Sequence, residues 1–437
     1  MRTILHAIDI IEEKCKAKLA CMRVCPTHAI RVRDGRARAN PLLCIDCGEC
    51  IVACKEGAIK AKTDQLEAIQ RFRYKIAMPS PTLFGQFQMG ITPSDIIDGL
   101  LGIGFDAVYD LSLESELINL AIRDYLDDYK GIYPLISSAC PVIVRLIQVS
   151  YPDMVEQIIP IETPRELAGR EMKKTYSAAM GLRPEEIGAV YITPCPAKVV
   201  AIKQPAEGVK SYIDLGVSIA DIYNPLLAAI TKLKKNEKSP NADDPYSTLK
   251  SSIGLAWAFS GGQCLSLKPS RYISVSQFPN IIRIFDDIEK GKIKGVEFIE
   301  CYACSGGCIG GPLTVDDTFV STSKIQRLIE IMGEPPAGFQ DGIQKRYIKG
   351  DYFLRQTIKA RPTQASPISF EEKIKRMKAK EDLAKMFPGL NCGLCGAPTC
   401  NVFAEDVANG LAIPDDCVLL SETRLNNLRD KYRVGMW

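Results

Sequence analysis

Between residues 44 and 54 the chain reads CIDCGECIVAC, which sets Cys44, Cys47, Cys50 and Cys54 at the spacing C-x2-C-x2-C-x3-C. With cysteine at about 4% of the chain, three more at fixed offsets arise by chance roughly once in 10⁴ starts, so this stretch constrains the fold strongly. A tight loop of that spacing aims three thiolates at one iron–sulfur cube, and the fourth cysteine reaches a second cube where the motif is duplicated. A degenerate upstream copy supplies Cys15, Cys21 and Cys25, the last followed by Pro26. Crossing the two copies assigns Cys25, Cys44, Cys47 and Cys50 to one 4Fe-4S cluster, and Cys15, Cys21 and Cys54 to the other.

The upstream copy is one ligand short. Lys18 stands where the duplication expects a cysteine, and deprotonating an ammonium from about 10.4 at neutral pH costs roughly 4 to 5 kcal/mol before any bond forms. The expectation is a three-thiolate site, holding a 3Fe-4S cluster or an incompletely Cys-ligated 4Fe-4S cluster. His28 is a candidate substitute ligand; the alternative is an exposed or locally bonded turn residue.

Composition narrows the class further. The 17 cysteines are odd in number and clustered, and there are only two histidines, His6 and His28. That supply suits iron–sulfur chemistry in a reducing compartment better than disulfides or imidazole-rich zinc and copper sites. With 55 Lys and Arg against 52 Asp and Glu, no basic field points to nucleic acid or an anionic membrane. The long uncharged stretch Ser251 to Leu267 is rich in Gly, Ser and Gln, and MRTILHAIDIIEEKCK turns acidic too soon for a cleavable leader. The expectation is a soluble cytoplasmic protein with no nucleic-acid or membrane partner.

Towards the other end, NCGLCGAPTCNVFAEDVANGLAIPDDC sets Cys392, Cys395, Cys400 and Cys417 at C-x2-C-x4-C-x16-C. A short helix over NVFAEDVANG carries Cys417 back to the loop, and thiolate-only donors point to 4Fe-4S, with structural zinc as the alternative. Between the two ends, strand-like and helix-like segments alternate, as in DAVYDLS then LESELINLAIRDYLDD, and PLISSACP then VIVRLIQVSYP. This predicts parallel strands covered by helices. The expected organisation is a two-cluster α+β region at 1–62, a charged linker helix at 63–75, an α/β region at 76–355, a linker at 356–369, and a small helical iron–sulfur region at 370–437. KLKKNEKSPNADDPYSTLK, at 232–250, reads as a surface loop.

Within the α/β region, Cys140, Cys195 and Cys304 each follow a strand-like segment, and open parallel sheets bind ligands at the carboxyl ends of their strands. Cys308 joins them through ACSGGCIGGP, whose glycines let backbone approach a bulky inorganic group. Four thiolates from three segments can hold one 4Fe-4S cube; the alternative is buried structural cysteine. Cys264 belongs to no cluster motif and reads as a small buried residue.

Taken in chain order, these segments resemble the motifs of the FeFe (iron-only) hydrogenases. SSACPVI resembles the family's TSCCPxW, TPCPAK (Thr193 to Lys198) its MPCxxK, and ACSGGCIGG (Ala303 to Gly311) its ACxxGCxxGG. AMPSPTLFGQF, TPRELAG and AFSGG extend the resemblance over most of 70–350. The flanking groups resemble a two-cluster ferredoxin and the small iron–sulfur domain appended to several anaerobic electron-transfer proteins. The resemblance implies two parallel-sheet lobes around an H-cluster: a 4Fe-4S cube on Cys140, Cys195, Cys304 and Cys308, with Cys308 bridging to a di-iron unit carrying carbon monoxide and cyanide. It further implies pocket residues Pro79, Ser80, Pro164, Arg165, Thr193 and Tyr302. Lys198 would face a cyanide ligand, whose negative charge offsets the several kcal/mol that burying a lone ammonium costs.

The implied reaction is reversible H2 oxidation and proton reduction, with electrons passing through the terminal clusters to a ferredoxin-like partner after assembly by hydrogenase maturation proteins. The departures concern protons. Ala139 replaces the first cysteine of TSCCP, which resembles a relay to the di-iron site, and alanine has no proton to give. SLESELIN resembles the relay helix, with Glu116 at one family glutamate but Asn119 at the other. Thr193 and Tyr302 stand where methionines are usual, and the motif's tryptophan is absent. Two readings follow: an enzyme with an altered proton path, or a low-turnover H2 sensor signalling through a separate partner, because no sensory or kinase domain is recognisable before Trp437. A cluster carrier that has lost the di-iron unit is disfavoured by Lys198 and GGCIGG.

Overall fold

The computed structural model describes residues 4–235, 249–332, 343–363 and 369–420. Most of the loop expected at 232–250, part of the linker expected at 356–369 and the last part of the C-terminal region lie outside those residues. In its described parts the chain divides into two compact units, one made of Met1–Ile45, Glu49–Ala61 and Pro362–Trp437, the other of Asp46–Gly48 and Lys62–Arg361. Strands are numbered in chain order.

In the first unit β1 (Ile8–Ile10), β2 (Ile30–Arg33), β3 (Arg36–Ala39) and β4 (Ile59–Ala61) form two antiparallel pairs, β1 with β4 and β2 with β3. The β2–β3 hairpin turns at Asp34-Gly35, both at positive φ, as a two-residue turn matched to strand twist requires. Met22, Ile30, Val32, Ala37, Cys50 and Ile59 close a small core beneath. The C-terminal helices Phe370–Met386 and Cys400–Ala408 pack through Leu383, Phe387 and Phe403. They join the hairpin, so the two terminal cysteine regions share one unit. Asp406 carries the join: it accepts from Arg31 at 2.6 and 2.8 Å and from Arg33 at 2.8 Å. Asp406→Ala should lower the urea midpoint of this unit, followed by cluster absorbance. We expect a loss of about 2 kcal/mol, below that of a wholly buried pair, because the arginine side chains stay 20% and 29% exposed.

The second unit holds two parallel sheets. In one, β6 (Ala107–Val108), β5 (Tyr74–Pro79), β8 (Ile187–Thr193) and β9 (Leu215–Ser218) lie side by side in that order; in the other, β10 (Tyr272–Ser276), β11 (Phe298–Tyr302) and β7 (Leu135–Ile136). Every residue of β8, IGAVYIT, is buried, as expected of a parallel strand covered by helices on both faces. The predicted helices form at Ser112–Asp128 and Pro141–Ser150, and a further helix runs over Pro164–Met180.

One element departs from expectation. The charged linker helix predicted over 63–75 is only a 3-10 stretch, Leu66–Arg71, after which β5 begins. Tertiary anchors override the local charge pattern: Thr63 donates to Asp221 at 2.9 Å, Asp64 accepts from Lys203 at 2.7 Å and from the Gly216 amide at 2.9 Å, and Ile69 is buried. No helix among the described residues is long and apolar enough to cross a membrane.

Candidate functional site

The carboxyl ends of β5, β7, β8 and β11 carry the residues singled out by motif. Cys140 and Cys195 each precede a proline that opens a helix, Pro141–Ser150 and Pro196–Lys203. Proline suits a first turn, where its missing N–H has no helical acceptor, and both sulfurs therefore sit at the positive end of a helix, which favours a thiolate. Burial opposes this and wins: it raises the Cys140 thiol, with the charge of Cys308 adding to it, while the amides of Ala303, Ile143 and Val142 pull down. Cys195 is pushed up to about 12, chiefly by burial and further by Cys140 and Cys308, with Lys198 opposing. The three sulfurs are thus near enough to feel one another, and Cys304 follows β11 by two residues.

Lys198 is buried and its Nζ donates to Cys308 Sγ at 3.2 Å. Although burial alone would lower its pKa, the charge of Cys308 raises it above the ordinary lysine value, so the side chain stays cationic. The two atoms face a cavity whose wall also includes Ser80, Ala139, Pro164, Arg165 and Tyr302. Six residues of that wall escaped sequence reasoning: the apolar Pro81 and Leu111, and Ser115, Thr163, Tyr191 and Trp257. Thr163 Oγ1 and Trp257 Nε1 are buried without a hydrogen-bond partner among the described residues. Orphaned polar atoms on a cavity beside converging thiolates fit a bound group with hydrogen-bonding ligands. Thr163 and Trp257 stood at motifs already noted, Thr163 as the first residue of TPRELAG and Trp257 one residue before AFSGG.

Other predicted residues lie elsewhere. Thr193 is fully buried, and its hydroxyl accepts from the Cys195 amide and donates to the Cys195 carbonyl, both at 3.2 Å, so it shapes the turn and does not line the cavity. Pro79 ends β5 just before the wall residue Ser80. Glu116 accepts from Ser251 Oγ at 2.6 Å, and Asn119 donates to Ser266 Oγ; neither reaches the cavity wall. Two glycines of ACSGGCIGG also serve packing: a Cβ on Gly307, at φ +102°, would lie 2.5 Å from the Ser260 nitrogen, and one on Gly311 would lie 2.5 Å from the Pro194 oxygen. Both let protein backbone approach closely. Cys264 is buried, its amide donating to Glu300 at 3.0 Å. Cys301, on β11, is a buried cysteine that motif reading passed over.

In the first unit a cavity gathers Cys15, Cys21 and Cys54. Burial raises the Cys21 thiol, with Cys15 and Cys54 adding; Cys50 is raised by burial and then by Cys44 and Cys25. Lys18 lies at the same cavity but turns outward to Glu56 at 2.5 Å, its side chain 68% exposed. His28 does not line it. Cys392, Cys395, Cys400 and Cys417 line one further cavity together.

Cysteine groups gathered at two cavities of the first unit, and parallel sheets of the second unit that bring further cysteines to their strand ends, define an iron–sulfur α/β protein. Comparison with known proteins gives the family. Residues 73–268 and 263–312, together more than half of the chain, match the family described as "Iron only hydrogenase large subunit, C-terminal domain". Residues 7–55 match a 4Fe-4S dicluster domain and 387–419 a putative Fe-S cluster domain. The chain belongs to the iron-only hydrogenase family. It is 23% identical over 327 residues to the NADP-reducing hydrogenase subunit HndD of Solidesulfovibrio fructosivorans, covering 62% of this chain and 55% of that protein. It is also 23% identical over 269 residues to iron hydrogenase 1 of Clostridium pasteurianum, covering 52% and 46%. The chain thus spans about half the length of these curated relatives. An apo FeFe hydrogenase from Chlamydomonas reinhardtii superposes with a TM-score of 0.48 at 15% identity over 67% of this chain and 93% of that one, too loosely to carry residue correspondences.

Proposed function

We propose that this chain is an FeFe hydrogenase, interconverting H2 with two protons and two electrons and exchanging the electrons with a ferredoxin-like partner through its terminal clusters. One observation carries the reading: Cys140, Cys195 and Cys308 converge with the buried cation of Lys198 beside a cavity lined by Thr163 and Trp257, whose buried polar atoms have no partner among the described residues. Cys140, Cys195, Cys304 and Cys308 would hold the 4Fe-4S cube of an H-cluster, installed with the help of hydrogenase maturation proteins. The di-iron unit, once bound, supplies the centre at which H2 is cleaved or formed. The chain's own part is to hold and enclose. Lys198 keeps a donor on Cys308, Trp257 offers an indole N–H to the cavity, and Ser80, Pro164, Arg165 and Tyr302 wall it, while Pro79 and Thr193 fix the turns that carry Ser80 and Cys195. Cys25, Cys44, Cys47 and Cys50 would hold one outer 4Fe-4S cluster, Cys392, Cys395, Cys400 and Cys417 another, and Cys15, Cys21 and Cys54 a cluster one ligand short. Hydrogen-dependent reduction of a viologen dye by the matured protein tests the reaction, and its absence would contradict the enzyme reading.

A specific observation favours the second reading, a low-turnover H2 sensor. Ala139 lines the cavity with a methyl group where a relay would place an acid, and Glu116 is engaged with Ser251 instead. Ala139→Cys should raise dye reduction at least threefold, because it puts a proton donor on the cavity wall. An unchanged rate would mean that proton supply does not limit turnover.

A further inference from the structure

Two cavities of the second unit meet at one wall. The second cavity contains Glu162, Glu166 and Glu207 and opens past the partly exposed Pro205 and Ala206. Thr163 and Arg165 line both cavities, and the neighbours Ser138 and Ala139 line one each, Ser138 on the second side and Ala139 on the first. We propose that protons reach the di-iron pocket through this wall, from Glu162 by way of the Thr163 hydroxyl, instead of along the path that Ala139 and Asn119 interrupt. The inference rests on the hydrogenase reading above.

Thr163 has the required chemistry. Its buried hydroxyl has no partner among the described residues, and a hydroxyl can accept a proton on one side while passing on its own from the other. In each transfer Glu162 loses one proton, Thr163 keeps its count, and the proton would be delivered to the group held in the first cavity, whose lining among the described residues offers no free base of its own; Glu162 is then recharged from water or Glu207 in the second. The Glu162 carboxyl accepts from the Thr163 amide at 2.8 Å, which holds it beside the residue that carries the hydroxyl. The carboxyl and the hydroxyl are not hydrogen-bonded to each other, and a turn of the Thr163 side chain or one water would join them.

The surrounding charges leave Glu162 available. Arg165 and Glu166 face it from the helix Pro164–Met180, Arg145 from Pro141–Ser150, and Glu207 from beyond Pro196–Lys203. Glu166 is committed to Ser211 at 2.8 and 2.9 Å, to the Tyr212 amide at 3.0 Å and to Arg165 at 3.3 Å, and Arg145 pairs with Asp46 at 3.0 Å. Glu162 therefore has no ion pair of its own among the described residues. Burial and then Glu166 push its carboxyl up to about 7, and burial raises Glu207 as well. Such a carboxylic acid holds its proton below neutrality and releases it just above, as a relay must.

Infrared difference titration of the full chain, produced without maturation proteins, should show a protonated carboxyl band that fades between about pH 6 and 8. Part of that band should be missing in Glu162→Gln, the rest belonging to other buried carboxyls such as Glu114, which burial also pushes up to about 7. No such band, or one that the substitution leaves undiminished, would overturn the proposal. In the matured protein, Glu162→Gln and Thr163→Val should keep the carbon monoxide and cyanide bands while slowing turnover at least tenfold, and Thr163→Ser should recover it to within threefold of wild type. Bands present with turnover unaffected would overturn the route alone; bands missing from the wild type would overturn the route together with the hydrogenase reading.

Discussion

Lys198→Met should lower hydrogen-dependent dye reduction about 10- to 100-fold, the equivalent of losing one charge-assisted hydrogen bond worth about 1.5 to 3 kcal/mol. Methionine fills much of the same volume, so circular dichroism and thermal unfolding should remain close to wild type. The argument rests on position. Lys198 is buried, its Nζ donates to Cys308 Sγ at 3.2 Å, and it lies on the wall of the cavity next to Trp257 and Tyr302. A buried ammonium survives only with a permanent negative partner, and a thiolate held by iron is one. Turnover unchanged in Lys198→Met would mean that the cation serves packing alone.

Gly307→Ala should be a strongly damaging substitution in the chain's second unit, because a close backbone contact and a left-handed backbone coincide there. The residue sits at φ +102°, and its new Cβ would meet the Ser260 nitrogen at 2.5 Å and the Phe259 carbonyl carbon at 2.7 Å. Backbone strain and contact together should cost at least about 3 kcal/mol. The loop from Cys304 to Cys308 could then no longer close on residues 259 and 260, so the purified variant should carry less iron and unfold at lower denaturant. A variant with full iron content and an unshifted midpoint would show that the loop has slack.

Much of this was legible in the chain itself. Parallel strands could be read from segments such as IGAVYIT, because a strand buried on both faces is apolar throughout. The cysteine groups could be read because metal chemistry demands fixed spacing within short loops. The rest required the third dimension. The linker at 63–75 has a helical charge pattern, yet Asp64 and Ile69 are tied down by residues far along the chain. Glu116 sits on a helix that was correctly anticipated, but Ser251, 135 positions away, decides where its carboxyl goes. Thr163 and Trp257 stand at the edges of TPRELAG and AFSGG, but only folding brings the two residues to one cavity. The same holds for the glycines of ACSGGCIGG, whose spacing is visible but whose neighbours, Ser260 and Pro194, are not.

The central claim is that four cysteines at strand ends, with Lys198 beside them, hold a di-iron unit joined to a cube. The most direct test is infrared spectroscopy of the full chain after maturation with hydrogenase assembly enzymes. Sharp carbon monoxide and cyanide stretches are expected, and they should disappear in Cys308→Ala. A matured protein that holds iron and sulfide but shows no such bands would contradict the account.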